Sequence, residues 1–334
     1  MLIAGFCVGI SALAAFRTDF VERFTTASSE TRFSTAAPSA RWGESYMPNL
    51  PVVDQDGNTF RFYDDLIKGK KVIISFIYTA CSQICPLTTS RMAILQEKLG
   101  DAVGRDYFMY SITIDPEHDG PSELKKHAEA FNVKPGWRLL TGTPENIAEI
   151  RYKLGERSKS LGDHKQEIML GDDAVGTWSR DSVLGDLDRL VLSIRGMDPD
   201  FNLGQGATSS DVTASAEQTV ELAPGAALFS RMCTSCHSIG RGVLVGPDLK
   251  DVANRRDAEW LKKFISRPDQ MFVEKDPTAM ALLAEFSVRM PNLGLSDVDA
   301  EDVLSYVARR SSLPAGVTAA GAEQVGANEP AAKE

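Results

Sequence analysis

The sequence predicts two folded domains, an α/β domain followed by an all-α domain. At 334 residues the chain is long for a single domain. In the first part, the apolar run at residues 72–78 is rich in β-branched side chains and indicates a buried central strand. After about residue 223, helical patterns surround a cluster of two cysteines and a histidine. With 43% hydrophobic and 25% charged residues, the composition lets both parts bury a core.

The charge balance argues against one class of partner. The formal net charge is -10, and no segment supplies the basic face that phosphate binding needs. We therefore expect no nucleic-acid partner.

The amino terminus is typical of a targeting segment. Residues 1–16 carry no charge, and Arg17 ends this run. The run is short for a spanning helix, which needs about 20 apolar residues, but it fits the core of a signal peptide or a membrane anchor. We predict a signal or anchor at residues 1–20, with uncleaved attachment favoured over a buried helix, and a tether at 21–45. The chain is then expected on the periplasmic side of the bacterial inner membrane, attached through its N-terminus.

The central feature of the first domain is a pair of thiols, Cys81 and Cys85, that follows the predicted strand. In open α/β sheets, sites form where the carboxyl ends of strands meet helices. The spacing places both sulfurs one helical turn apart, so that they can close a disulfide or bind one soft metal ion. Pro86 suits the first turn of a helix, whose N-terminus favours the thiolate. The alternative is a plain structural disulfide, which would close only a short loop and so add little to the stability of the fold.

Strands and helices alternate around this motif. A hairpin with an Asp-Gly turn is predicted at residues 51–60, and a second hairpin at 167–179. Further strands are predicted at 108–114 and 137–140. Helices are expected after each strand, with inward-facing sets that include Met92, Leu95 and Leu99, then Leu124, Ala128 and Phe131, then Ile147, Ile150 and Leu154, and finally Leu187, Leu190, Val191 and Ile194. This order of elements is typical of a thioredoxin-like fold.

Three segments carry a resemblance to a known family. They are residues 78–86, 114–119 and 140–145, and they lie in register within a predicted domain at 46–197. This domain resembles the Sco/SenC family of copper-binding thioredoxin-like proteins. The resemblance implies that Cys81, Cys85 and His164 bind copper. It also implies that the protein helps to assemble the copper centre of a respiratory oxidase, with the copper-centre subunit as partner.

The chemistry of these side chains is consistent with copper. Two thiolates select Cu(I), and an added imidazole lets the same site hold Cu(II). The chain has four histidines, so few alternatives exist. His118 and His127 are expected to be solvated surface residues, although His118 could come near the thiols.

A change of composition separates the second domain from the first. Residues 198–222 are Gly-, Ser-, Thr-, Ala- and acid-rich without periodicity, which predicts a flexible linker. The second domain is predicted at 223–312. The Ala- and Gly-rich residues 313–334 are expected to form a disordered tail.

The second domain contains the c-type haem attachment pattern, with Cys233 and Cys236 followed by His237. The thiols would form thioethers with the haem vinyl groups, and the histidine would bind the iron. A zinc site would need more nearby ligands. A second thioredoxin-like dithiol would need a preceding strand, whereas the preceding residues pattern a helical face. We therefore predict haem c as cofactor beside copper.

Two loops of this domain resemble those of class I cytochromes c. Residues 246–249 are similar to the loop packed on the proximal histidine, and residues 290–293 are similar to the segment that carries the distal methionine. The resemblance covers about residues 222 to 311 and implies His237 and Met290 as axial ligands. Met271 and Met280 are the rival sulfurs, but they fall in segments expected to be packing or loop.

Three functions compete at this point. The first is a copper-binding, redox-active assembly protein with haem c for one-electron transfer. The second is a thiol-disulfide oxidoreductase that uses the Cys81 and Cys85 pair on partner cysteines, and the third is a membrane-tethered electron carrier. His164 favours the first, because dithiol exchange needs no third ligand. We therefore expect a copper chaperone and electron-transfer protein rather than a catalyst. Another redox protein is a further candidate partner. Because a Met/His haem has a raised potential, electrons are expected to run from the first domain to the haem.

Overall fold

The computed structural model describes residues 42–199, 201 and 224–312. The predicted anchor, almost all of the predicted tether and linker, and the predicted tail lie outside these residues. Within the described ranges, no helix is long and apolar enough to cross a membrane.

A seven-stranded mixed sheet forms the centre of the first domain. Its strands are β1 (Pro51–Asp54), β2 (Thr59–Arg61), β3 (Lys71–Ile77), β4 (Tyr107–Thr113), β5 (Trp137–Thr141), β6 (Ile168–Asp172) and β7 (Thr177–Asp181). They lie in the order β2-β1-β5-β4-β3-β6-β7. The three inner strands β5, β4 and β3 run parallel, and a hairpin extends the sheet on each side in antiparallel pairing. The predicted α/β class is confirmed.

Four helices cover the sheet. They are α1 (Cys85–Leu99), α2 (Pro121–Ala130), α3 (Pro144–Lys153) and α4 (Leu187–Arg195). The core has two layers: α1, α2 and α4 pack on one face of the sheet, and α3 packs on the other with a π-helical turn, Phe62–Ile67. Strand β3 contributes Ile73 and Ile77 to the first layer and Val72, Ile74 and Phe76 to the second. Burial on both faces explains why its sequence is a continuous apolar run rather than an alternating one.

The predicted hairpins and the predicted buried face of the first helix are confirmed. Strands β1 and β2 pair in antiparallel register around a turn in which Gly57 has a φ of 83°. Helix α1 buries Met92, Leu95 and Leu99 as the pattern predicts, and it ends at Gly100, whose φ is 58°. The π-helical turn had no recognisable sequence signal.

The second domain, residues 224–312, consists of helices joined by loops. Its helices are α5 (Pro224–Met232), α6 (Val252–Arg255), α7 (Ala258–Ser266), α8 (Pro268–Val273), α9 (Pro277–Phe286) and α10 (Asp297–Ser311). Phe229 of α5 packs against Val303 and Val307 of α10, and its ring lies 5.4 Å from that of Tyr306. A capping box formed by Ser296 and Asp299 begins α10. Helices α8 and α9 add a second apolar cluster that the sequence did not predict.

Candidate functional site

The thiol pair lies where the central strand meets its helix. Cys81 is in the loop that follows β3, and Cys85 is the first residue of α1. Both are free thiols, and their exposed fractions are 5% and 1%. Pro86 occupies the first turn of the helix, as predicted.

The pKa values of the two thiols are shifted in opposite directions. Hydrogen bonds from Cys85, the Tyr78 hydroxyl and the backbone at Gln83 lower the pKa of Cys81 to about 6, despite its burial. The same sulfur contact, together with burial, raises the pKa of Cys85. The predicted lowering of the thiol pKa is therefore confirmed for Cys81 and wrong for Cys85. These opposite shifts favour a thiolate at Cys81 beside a protonated thiol at Cys85 at neutral pH.

A buried carboxylate fixes the loop before Cys81. Asp119 accepts hydrogen bonds from the Thr79 backbone N–H at 3.0 Å, the Thr79 hydroxyl at 2.5 Å and the Thr113 hydroxyl at 2.6 Å. Its exposed fraction is 1%. Asp119 closes the segment 114–119, and its function had not been recognised from the sequence.

The chain near His164 reaches the thiol pair through Gln166. The Gln166 amide nitrogen donates to Cys85 Sγ at 3.8 Å, and its carbonyl oxygen accepts from the Thr88 hydroxyl at 2.6 Å. The sequence signal that could have identified Gln166 is its position two residues after His164. Gln166 therefore lies beside the thiol pair.

Both ring nitrogens of His164 contact groups other than the thiols. Its side chain is 2% exposed, its Nδ1 lies 3.1 Å from Glu156 Oε2, and its Nε2 lies 3.0 Å from the carbonyl oxygen of Phe76. Burial opposes the ionisation of Glu156, but hydrogen bonds from His164 and Ser158 outweigh it and lower the pKa to about 2. Among residues 42–199, 201 and 224–312, no three His, Cys, Asp or Glu side chains are grouped to hold a metal ion. The structure thus brings Cys81 and Cys85 together without the His164 ring.

The other two histidines of this domain differ in exposure. His118 is exposed, and a hydrogen bond from its ring to Asp115 at 2.8 Å raises its pKa. His127 is half-buried against Phe131, and burial lowers its pKa to about 4. The expectation of a solvated surface residue fits His118 but not His127.

An apolar cavity in the second domain collects the predicted haem ligands. Cys233, Cys236, His237 and Met290 all line it. The remaining wall is largely apolar and includes Leu249, Trp260, Leu261, Phe264, Leu283 and Val303. Burial raises the pKa of Cys233 to about 12 and also raises that of Cys236.

The contacts of His237 fit a haem-binding histidine. Its Nδ1 lies 2.9 Å from the Pro247 carbonyl oxygen, which can only accept, so Nδ1 carries the proton and Nε2 stays available to a metal. Gly246 packs so closely that an added Cβ would lie 2.5 Å from His237 Cε1. These residues fit haem c.

The rival methionines occupy other positions. Met271 of α8 is 2% exposed within the cluster that contains Phe264 and Phe272. Met280 of α9 is 38% exposed. Met290 is the methionine among these three that lines the cavity with His237.

Fold and site together define a thioredoxin-like dithiol domain joined to a helical domain of the c-type haem class. Comparison with known families agrees, because residues 40–173 match the SCO1/SenC family model and residues 222–311 match the Cytochrome c model. The chain therefore joins a SCO1/SenC domain to a cytochrome c domain. The β7 and α4 elements follow the first matched range and complete the same sheet and core.

Similar proteins match the first domain. The SCO1 protein homolog of Bacillus subtilis is 36% identical over 97 residues, which are 29% of this chain and 49% of that protein. The crystal structure of yeast Sco1 with copper bound has a TM-score of 0.39 and 23% identity, covering 49% of this chain and 100% of that one. BsSco, described as a member of the Sco family of cytochrome c oxidase assembly proteins, has a TM-score of 0.40 and 26% identity, covering 47% and 96%. The chain spans about half the length of the curated relatives it matches.

Proposed function

We propose that the first domain binds copper through Cys81, Cys85 and His164 and delivers it to the copper centre of a respiratory oxidase. The observation that carries this proposal is the buried sulfur pair at the start of α1, with Gln166, two residues after His164, in contact with Cys85. Two soft sulfurs suit Cu(I), and an imidazole adds a ligand for Cu(II). The names of the similar proteins support the proposal, since yeast Sco1 holds copper and BsSco belongs to a family of oxidase assembly proteins.

Binding through His164 requires its ring to turn. The Nε2 atom must leave the Phe76 carbonyl, 3.0 Å away, to face the sulfurs. The Nδ1 atom can keep Glu156, because metal-binding histidines commonly give their second nitrogen to a carboxylate. This arrangement is therefore compatible with a histidine that moves to the metal on binding.

A metal titration of the full-length protein tests this site. His164→Ala is expected to weaken Cu(II) binding by more than about tenfold, because outer-shell changes alone commonly cost 10- to 100-fold. Cu(I) binding should change much less, since the two sulfurs remain. His118→Ala removes an exposed imidazole and serves as the matched control. Unchanged Cu(II) affinity in His164→Ala would remove this residue from the site.

A thiol-disulfide oxidoreductase is the second candidate. The opposed pKa shifts of Cys81 and Cys85 favour it, because one thiolate and one protonated thiol suit attack followed by resolution. Its discriminating result is exchange with a disulfide peptide by copper-free protein at a rate that His164→Ala leaves unchanged.

We also propose that the second domain holds haem c through Cys233 and Cys236, with His237 and Met290 as axial ligands. The apolar cavity and the Pro247 contact of His237 support this assignment. A haem held there would supply a one-electron acceptor. With residues 1–20 as a signal or anchor, we place the protein on the periplasmic side of the bacterial inner membrane.

A further inference from the structure

The two domains touch through the helix that carries Cys85. Ser90, five residues further along α1, donates a hydrogen bond to the Ser235 hydroxyl at 2.9 Å, and its oxygen lies 3.3 Å from Cys236 Sγ. Both serines are buried, with exposed fractions of 1% and 9%. The haem attachment motif therefore rests directly on α1.

A second contact involves the loop between the two thiols. The backbone N–H of Asn292 donates to the carbonyl oxygen of Ser82 at 3.2 Å. Asn292 is held in its own domain, because its amide donates to Asp269 at 2.8 Å and its carbonyl oxygen accepts from the Gly294 backbone at 2.9 Å. The loop that contains Met290 and Asn292 is therefore held by hydrogen bonds within its own domain and contacts the loop between Cys81 and Cys85.

Arg91 makes a third contact across the same boundary. Its guanidinium donates to the carbonyl oxygens of Val183 and Gly185 in the first domain and to that of Arg231 in the second, the last at 3.3 Å. Burial, and then the charge of Arg231, lower the pKa of Arg91. One side chain therefore ties the loop before α4 to the end of α5.

These contacts close over the thiol site. The cavity at Cys81 is lined by Thr79 and Ser82 from the first domain and by Phe286 and Arg289 from the second. A metal ion or a small reagent fits such a space. A protein partner does not, because a specific complex typically covers about 800 Å² on each partner.

We propose that the face around Cys81, Ser82 and Ser90 is the docking surface of the chain's own cytochrome c domain, and that this contact must open before a partner protein reaches the thiols. The consequence for copper delivery rests on the proposed function, whereas the contact itself does not. Few hydrogen bonds cross the boundary, which suits a reversible contact. The linker predicted at residues 198–222 would hold the domain at an effective concentration of about millimolar.

Thiol accessibility in the full-length, haem-loaded protein tests the proposal. A Cys7→Ser background leaves Cys81 and Cys85 as the free thiols once the haem thioethers are formed. We compare the labelling rate of a maleimide on a polyethylene glycol chain with that of iodoacetamide. Ser90→Arg and Ser235→Arg should each raise the ratio of bulky to small reagent rates by about tenfold, as expected when a scarce open state becomes common.

Ser230→Arg is the matched control, because this serine lies on α5 in the same domain and is exposed. Its ratio should equal that of the parent protein. The haem spectrum and the thermal unfolding temperature identify any variant that fails to fold. If either Ser90→Arg or Ser235→Arg fails to fold, the ratio measured for the other tests the proposal. An unchanged ratio in a folded variant overturns the proposal. If the parent protein does not bind copper, the proposed function is overturned. The ratio of labelling rates would still measure docking.

Discussion

At the scale of single residues, the two cysteine pairs differ in the charge on their sulfurs. Cys81 lies among hydrogen-bond donors at the start of α1, which lower its pKa to about 6. Cys233 lies against an apolar cluster, where burial raises the pKa to about 12. The first environment creates a reactive thiolate, and the second keeps the thiol protonated.

The lowered pKa of Cys81 predicts the pH profile of its alkylation. Since the thiolate is the nucleophile, the rate at Cys81 should rise with pH, reach half its maximum near pH 6 and level off by about pH 7. Tyr78→Phe removes one donor to the thiolate and should shift the profile to higher pH. Mass spectrometry of the Cys81 peptide measures the rate in copper-free, reduced protein.

Tyr152→Phe is the control for that profile, because Tyr152 is 58% exposed. The same ring substitution there should leave the midpoint at the parent value. A midpoint between pH 8 and 9 in the parent protein would contradict the lowered pKa.

At the scale of secondary-structure elements, the end of α9 and the start of α10 place Met290. The intervening loop begins after Phe286 and ends at Ser296, whose hydroxyl accepts from the Asp299 backbone at 3.1 Å. In turn, the Ser296 backbone N–H donates to the Asp299 carboxylate at 2.8 Å, which completes a capping box. This cap fixes the end of the loop that brings Met290 to the cavity.

Substitution of the loop methionine tests its role. Met290→Ala should abolish the weak sulfur-to-iron band in the near-infrared while the haem stays attached, because the thioethers do not depend on the distal ligand. Met280→Ala, on the half-exposed side of α9, is the control and should keep the band. Loss of the band in Met280→Ala instead would show that the distal assignment is wrong.

At the scale of the whole molecule, the contact between domains changes what the fusion can do. The sequence predicted a flexible linker that brings the domains near each other without a fixed geometry. The structure adds a direct contact, in which Ser90 of α1 meets Ser235 and Cys236. If the thiol pair holds copper as proposed, helix α1 would link that site to the haem attachment motif through this contact.

This contact predicts the kinetics of electron transfer. Protein with oxidised haem is loaded with one equivalent of Cu(I) without oxygen, and haem reduction is followed by stopped flow. Each copper loses one electron and each haem iron gains one. Because donor and acceptor lie in the same chain, haem reduction should be first order and independent of protein concentration. Ser90→Arg should slow this phase, and Ser230→Arg should not. A rate proportional to protein concentration, or no reduction, would mean that the fusion serves as a tether alone.

The sequence by itself determined the local elements and the chemical type of each site. Pro86 at the first turn of α1, the burial of Met92 and Leu95, and the cap at Ser296 depend on neighbours within a few residues, which helix and strand periods encode directly. The spacing of Cys81 and Cys85, like the haem attachment pattern, is also local.

Only the tertiary structure decided which distant side chains meet. Gln166 beside Cys85, Glu156 beside His164, and Ser90 beside Ser235 had no periodic signal. The last pair is separated by 145 residues. Such contacts depend on the order of strands in the sheet and on how the two domains pack, because neither is set by the conformational preferences of neighbouring residues.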